Sequence, residues 1–360
     1  MTEPLPIVRA LKLRCVEAPL SRPLRTASGE IPAAPFVLID LETDAGVTGR
    51  AYLFAYTRAV LVPMARFLES LAEELEGKTV SPIERARDFE ARFRLLGRQG
   101  LVGMALAGLD MALWDALGRA QGLPVVSLLG GEPRACPAYD SYGIVDPVTD
   151  RRALETSLEQ GYRAIKIKIG EGDLRRDVET VAAVRDILGP GIALMVDYNQ
   201  SLDVVEAIRR IEALAPYDLT WVEEPVLAED LEGHARVRAA SPVPIQIGEN
   251  WWFPGDMAKA IAAGACDYAM PDLMRIGGVT GWLGAMALAE AASLPVSSHA
   301  FDEASAHVLP VTPTAHWLEY LGKANVIMAE PLAVENGCVT ARGPGLGMDW
   351  NEDAIKRYAL

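Results

Sequence analysis

Residues 164–170 read AIKIKIG. Ile165, Ile167 and Ile169 alternate with Lys166 and Lys168, and a period of two is that of a β-strand, so the isoleucines share one face and both ammonium groups share the other. The same shape recurs along the chain. CPAYDSY (136–142), ALMVDYN (193–199), LTWVEEP (219–225), IQIGEN (245–250), DYAMPDL (267–273) and PVSSHA (295–300) each read as a short strand. Helical stretches such as LRRDVETVAAVRDIL (174–188) and DVVEAIRRIEALA (203–215) separate them. A strand followed by a helix, repeated about seven or eight times over some 200 residues, is the pattern of a closed parallel β/α barrel. A doubly wound open sheet is the competing α/β arrangement. It is disfavoured by the lack of a G-x-G-x-x-G turn after an early strand.

Each strand candidate starts apolar and ends in charge or amide: Lys166 and Lys168, Asp197 and Asn199, Glu223 and Glu224, Glu249 and Asn250, Asp272, His299. The carboxyl ends of barrel strands open on one face, where catalytic groups collect. Ahead of this region the rhythm differs. IVRALKLRCVEAPL (7–20) and PFVLIDLETDAGVTGRAYL (35–53) read as strands, with a polar loop from Ser21 to Ala34 between them and a turn at Asp44 to Gly46. From Thr57 the pattern turns helical, ending in GLVGMALAGLDMALWDALGRAQGLP (100–124), where Gly122 and Pro124 supply the stop. Strands followed by helices suggest an α+β unit.

The chain has 360 residues and a net charge of −15, with an isoelectric point near 4.8. That balance argues against nucleic acid or an anionic membrane surface as a partner, because both require a basic patch. An anionic ligand must therefore meet a local positive site. No basic start followed by an apolar stretch opens the chain, and no uncharged run of about 18 apolar residues is present, so neither secretion nor a membrane span is expected. Cys15, Cys136, Cys266 and Cys338 are widely spaced, which fits a reducing cytoplasm. With four histidines and no close His/Cys pairs, a zinc site of the usual kind is not expected.

Asp197, Glu223 and Glu249 end three successive strand candidates. Carboxylates converging on a low-dielectric mouth repel one another and take up protons unless a cation holds them. All-oxygen ligation suits a hard divalent ion, Mg2+ first and Mn2+ second. Singly, each carboxylate is as well explained by solvent exposure or helix capping. Lys168, beside a second ammonium and a divalent ion, has its charged form disfavoured, so its pKa is expected to fall and the amine to act as a base. Lys166 can bind a substrate carboxylate. The plain alternative for the pair, an edge strand protected by lysines, suits an exposed sheet better than a barrel. Asp272 and His299 end the next two candidates, and a carboxylate bonded to one imidazole nitrogen fixes the tautomer and raises basicity at the other. Lys168 and His299 would then flank one carbon atom. Glu319, in TPTAHWLE (312–319), reads by itself as a helix-surface acid and its spacing does not single it out; if burial kept it neutral, it could donate a hydrogen bond to a developing enolate.

Taken together, KIKIG, VDYNQSLD, EEP, GEN, MPDLMRIGGVTGW, SSHAFDEASAH and TPTAHWLE, in this order, resemble the enolase superfamily and within it the mandelate racemase subgroup. The likeness runs nearly the whole chain. It implies a modified (β/α)7β barrel over 131–330, and an α+β capping domain over 1–130 completed by 331–360. It also implies Asp197, Glu223 and Glu249 as Mg2+ ligands, Lys168 as the base toward the S enantiomer, and His299 with Asp272 toward the R. Lys166 and Glu319 would meet the substrate carboxylate. Ser141, Asn199, Leu24, Ile31, Phe54, Tyr56, Tyr142 and Ala300 would line the substrate site, with Phe54 and Tyr56 as an aromatic wall. Leu24, Ile31, Tyr142, Ala300 and Arg275 depart from the subgroup's pattern, so the ring site is reshaped. The expected function is a Mg2+-dependent racemase of mandelate or a related 2-hydroxy acid, and the expected assembly a homo-oligomer. A dehydratase of an acid sugar is the alternative, which apolar Leu24, Ile31 and Phe54 disfavour because a polyol wants polar partners. A metal-stabilised binding protein would leave two opposed bases without purpose.

Overall fold

The N-terminal third is built on a long antiparallel hairpin, β1 (Val8–Thr26) and β2 (Gly29–Thr43), with β3 (Thr48–Phe54) on the other edge of β2. The computed structural model describes residues 5–26 and 29–360. The segment expected as a loop from Ser21 to Ala34 is largely strand: pairing runs through Ala18 with Ala34, shifts register between Pro19 and Leu24, and resumes with Leu24 opposite Ile31. Pro19 and Pro23 carry no N–H for the ladder, so the interruption that looks like a loop in the sequence is an irregularity within a strand.

Helices α1 (Arg58–Leu75), α2 (Pro82–Arg92) and α3 (Leu101–Gln121) follow, then the short α4 (Val125–Leu128). The α3 helix is long and apolar enough to cross a membrane by length and composition, but 83% of its most apolar window is buried in the protein. It also carries a fully buried Asp115, which accepts hydrogen bonds from Arg50 N, Leu346 N and Arg119 Nε. That one carboxylate ties the N-terminal sheet, the helix and the C-terminal segment together, which a membrane helix has no use for.

The second sheet starts at β4 (Cys136–Ile144) and continues as α5 (Arg151–Glu159), β5 (Ala164–Lys168), α6 (Leu174–Leu188), β6 (Ala193–Asp197), α7 (Val204–Leu214), β7 (Leu219–Glu223), α8 (Leu231–Ala240), β8 (Ile245–Ile247), α9 (Phe253–Ala263) and β9 (Tyr268–Ala269). After α10 (Leu273–Ile276) and α11 (Gly278–Ala291) come α12 (Asp302–Val308) and β10 (Leu318–Tyr320). The strands lie parallel in the order β10-β4-β5-β6-β7-β8-β9. Val296 bridges both Ala269 and Ala315, and His299 bridges Asp272, so the segment between α11 and α12 closes the ring as its seventh strand place and β10 is the eighth. The chain then adds β11 (Cys338–Val339) antiparallel to β4, and α13 (Glu352–Tyr358) beside β1. Trp350 Nε1 donates to Asp40 Oδ1 of β2 at 2.7 Å, so the tail returns to the first sheet.

Alternation decides what faces the ring's centre. Tyr139, Ala164, Met195 and Trp221 form a separate buried apolar cluster inside it, while Ile165, Ile167 and Ile169 belong to the main core. Two residues further along the same strands stand Ser141, Lys166, Asp197 and Glu223. The apolar plug thus fills the amino-terminal half of the barrel, and the next layer, on the same faces, is polar.

Candidate active site

Non-glycine residues with positive φ gather where the barrel strands end: Asn199 (44°), Gln200 (65°), Glu224 (40°), Ala300 (50°) and Phe301 (50°). Backbone held in this sparsely populated region concentrates at functional sites. Gly248 (φ 141°) ends β8 in a conformation closed to side chains, and an added Cβ would stand 2.9 Å from Met270 N. This turn is what brings Glu249 toward the mouth.

Asp197, Glu223 and Glu249 each offer a carboxylate oxygen within 4.8 Å of the others. Glu249 Oε2 is buried and makes no hydrogen bond among the described residues, although it lies 3.2 Å from His299 Nε2. Burial pushes the Glu223 carboxyl up to about 8, against the pull of Lys166. Three crowded carboxylates, one without a donor and one driven toward protonation, fit a hard divalent cation. Asn199 donates from N and Nδ2 to Asp197 at 2.7 and 2.9 Å, and Trp221 Nε1 donates to Glu223 Oε2 at 3.1 Å, so these ligands are oriented from behind. Glu224 turns away and accepts both bonds from Asn250 Nδ2 at 2.8 Å.

Lys166, 1% exposed, contacts Glu223 Oε1 at 2.6 Å and Glu319 Oε1 at 2.7 Å. Burial draws its amine down, but Glu223 and Glu319 outweigh this and hold it well above the ordinary lysine range. Lys168 donates to Asp197 Oδ2. With no ion on the triad, burial and Lys166 lower its pKa while Asp197, in direct contact, raises it more; the expected fall was for the amine beside a divalent ion. Glu319 differs from the neutral acid considered above. Burial would neutralise it, yet Lys166 and His299 hold its carboxyl below the usual range, so it is an anion accepting bonds from Ser141 Oγ (2.8 Å) and Ala300 N (3.0 Å) rather than a neutral donor.

His299 Nδ1 lies 2.6 Å from Asp272 Oδ2. Met274 N donates to the other oxygen of Asp272 at 2.7 Å, so the carboxylate is fixed and the imidazole presents Nε2. Burial lowers the imidazole pKa, but Glu249, Glu319 and Asp272 together raise it. Lys168 stands on the second strand place and His299 on the seventh, separated on one side by the four strands β6 to β9 and on the other by β10 and β4.

Both line a cavity of about 400 Å3, together with Leu24, Ile31, Phe54, Tyr56, Ser141 and Asn199, as the sequence places them. Leu24 and Ile31 pair across the hairpin, and Phe54 and Tyr56 pack with ring centroids 4.6 Å apart. Two expected lining residues do not line this cavity, although Tyr142 borders a smaller one beside it. Tyr142 follows Ser141 and so projects from the opposite face of β4: its hydroxyl meets Ser157 Oγ of α5 at 2.6 Å and Arg22 covers its ring at 3.8 Å. Ala300 is buried and serves through its backbone N–H to Glu319 rather than through a side-chain wall. Conversely Gln200, Asn250, Leu321 and Lys323 line the cavity without having been singled out as lining it, as does Arg275, noted only as a departure. Lys323 sits beyond β10 in a stretch with no periodicity, so only its charge could have marked it.

Residues 9–130 match the mandelate racemase/muconate lactonizing enzyme N-terminal domain, and residues 149–354 the enolase C-terminal domain-like family. A 3,6-anhydro-alpha-L-galactonate cycloisomerase of Streptomyces coelicolor is 35% identical over 90% of this chain and 91% of its own. A D-galactonate dehydratase of Xanthomonas campestris pv. campestris is 31% identical over 90% and 91%. The crystal structure of an enolase from Bradyrhizobium, complexed with magnesium and mandelic acid, is 57% identical, with a TM-score of 0.98 and all of both chains covered. With both halves of the chain matched and relatives of this identity aligned over nine-tenths of it, the chain belongs to the mandelate racemase/muconate lactonizing enzyme family of the enolase superfamily.

Proposed function

We propose that this protein is a Mg2+-dependent racemase of mandelate or a closely related 2-hydroxy acid. The observation that carries the reading is the placing of Lys168 and His299 on distant strands of one ring, both facing one cavity beside the acidic triad.

A proton next to a carboxylate is very weakly acidic, so its removal needs charge stabilisation of the enediolate as it forms. Asp197, Glu223 and Glu249 would hold Mg2+, which when bound would supply Lewis acidity toward the substrate's oxygens and offset the carboxylates that keep Lys168 charged. Lys166, already placed between Glu223 and Glu319, offers its ammonium to the substrate carboxylate, and Ser141 Oγ stands at the same point. From the S enantiomer, neutral Lys168 Nζ takes the α-proton, and imidazolium Nε2 of His299 returns one to the opposite face. Lys168 is left protonated and His299 neutral, which is the starting state for the R enantiomer. Asp272 keeps the Nδ1 proton in place, so that the transferred proton is always the one on Nε2.

Dehydration of an acid sugar is the second reading, favoured by the polar side chains Asn250, Gln200, Arg275 and Lys323 in the cavity wall. Incubation with R-mandelate and Mg2+, followed by optical rotation, tests the first reading. Loss of rotation without keto acid supports it. Unchanged mandelate, with 2-keto acid appearing from acid sugars, overturns it in favour of the second.

A further inference from the structure

The aromatic wall of the cavity is flanked by cations. Lys323 Nζ stands 4.7 Å from the centre of the Phe54 ring, and Arg275 Cζ stands 5.3 Å from that of Tyr56. Lys323 makes no ion pair with a carboxylate among the described residues. Its closest electrostatic partner, Glu319, is committed to Lys166, Ser141 and the backbone of Ala300. A half-buried ammonium over an aromatic face gains only modestly from the ring, which is a weak substitute for a counter-ion. In keeping with this, burial lowers the Lys323 pKa.

Lys323 also borders a second cavity of about 210 Å3, which shares Leu24, Ser141 and Leu321 with the first. This annex is also lined by Arg22, Arg25 and Asp150, but Arg22 pairs with Asp140 at 2.5 Å and Arg25 with Asp150 at 3.6 Å. Of the three cations bordering it, Lys323 is the one without a carboxylate ion pair among the described residues. An unsubstituted ring lying on Phe54 would leave Lys323 without a partner. A substrate with an oxygen anion at its far end would supply one.

Resting on the racemase reading above, we propose that Lys323 is a specificity-determining residue that receives a second carboxylate at the distal end of the substrate, so that the preferred substrates are 2-hydroxy acids that are dianions. The first carboxylate goes to Lys166 and the triad, the ring or spacer lies on Phe54 and Tyr56, and the second carboxylate meets Lys323 at the entrance to the annex. A charge-assisted bond to an ammonium in such a place changes affinity by roughly tenfold or more.

The test compares mandelate with 3-carboxymandelate and 4-carboxymandelate on the full-length, Mg2+-loaded protein, by calorimetric binding and by exchange of the α-proton in D2O. We expect at least one carboxymandelate to bind about tenfold or more tightly than mandelate. In Lys323→Met that ratio should collapse to within about threefold, and Lys323→Arg should restore it. Equal binding of all three ligands by the wild type overturns the proposal, as does a ratio that survives Lys323→Met. Circular dichroism and thermal midpoints show whether each variant is folded, and Lys323→Arg supplies the answer if methionine is not tolerated. If no ligand exchanges its α-proton while the binding ratio holds, the racemase reading fails and the role of Lys323 stands.

Discussion

Replacing Lys166 by methionine removes an ammonium that is 1% exposed and in contact with two buried carboxylates. Methionine keeps the length of the stem, so the change is mainly one of charge. Burial outweighs Lys166 and pushes the Glu223 carboxyl up to about 8. At neutral pH it therefore already holds its proton, and its share of the cost is small. Glu319 has no such relief at hand: burial raises its pKa, Lys166 is the largest of the groups that bring it below 4.5, and afterwards Ser141 Oγ, Ala300 N, the His299 ring and, at longer range, Lys323 remain. Breaking a buried pair by truncating one partner costs about 3–5 kcal/mol. With Glu223 protonated, the lower end, about 3 kcal/mol, is expected for the metal-free protein at pH 7. The sign follows from the depressed carboxyl. Its stabilising contribution is present above the unfolded value of 4.5 and is lost as pH falls through the folded one. Since the variant lacks this contribution, the gap from wild type should be widest near neutrality and narrow on acidification to about pH 3. Urea unfolding with a chelator present, followed by circular dichroism at both pH values, measures it. A gap below about 1 kcal/mol at pH 7, or one that is equal at both, would refute Lys166 as the counter-ion of Glu319.

Other outcomes follow from the same geometry. Lys168→Ala should abolish α-proton exchange from the S enantiomer by about 100- to 10,000-fold while retaining exchange from the R through His299, and His299→Asn should do the reverse. Equal loss in both directions, read by NMR in D2O, contradicts two opposed bases. Chelation should stop turnover, and Glu249→Gln should raise the Mg2+ concentration needed for half activity, whereas full activity without metal contradicts the triad. Burial raises the Asp110 carboxyl from 3.8 to about 7, so the folded state holds its proton more tightly than the unfolded chain does. The stability this gives is complete below 3.8 and is lost as pH rises through about 7, up to about 4 kcal/mol. Asp110→Asn should show no such loss between pH 5 and 8.5, and parallel stability curves for the two proteins would contradict the assignment. An added Cβ at Gly143 would come 2.5 Å from Arg25 O, so Gly143→Ala should displace the hairpin and raise KM more than it lowers kcat. An unchanged KM would show that the hairpin's seat on β4 is dispensable.

What could be read from the residues is largely what strand geometry fixes. Alternation and strand ends determine that Lys166, Asp197 and Glu223 share the inside of a ring, because the period of two and the open face leave little freedom. The errors lie where distant segments meet. Tyr142 borders the annex and not the main cavity because Ser141 alone of that pair faces inward. The charge state of Glu319 depends on Lys166, more than 150 positions away, and no local pattern announces that contact. The carboxylate that reaches Lys168 from the next strand, Asp197, is likewise announced by no local pattern. The interrupted hairpin was hidden by prolines, and Lys323 by a loop whose path is set by packing and not by its own sequence.

The residues proposed to handle the proton stand on barrel strands, whereas Leu24 and Ile31 lie on a hairpin that reaches the mouth from another part of the chain. Recognition and reactivity are therefore encoded in stretches that can drift independently. Mutation in the hairpin retunes the molecule admitted while the strand ends stay as they are. Relatives as unlike in name as a cycloisomerase and a dehydratase are then what such a division of labour would produce over time, and an engineer seeking a new substrate would begin at Leu24 and Ile31.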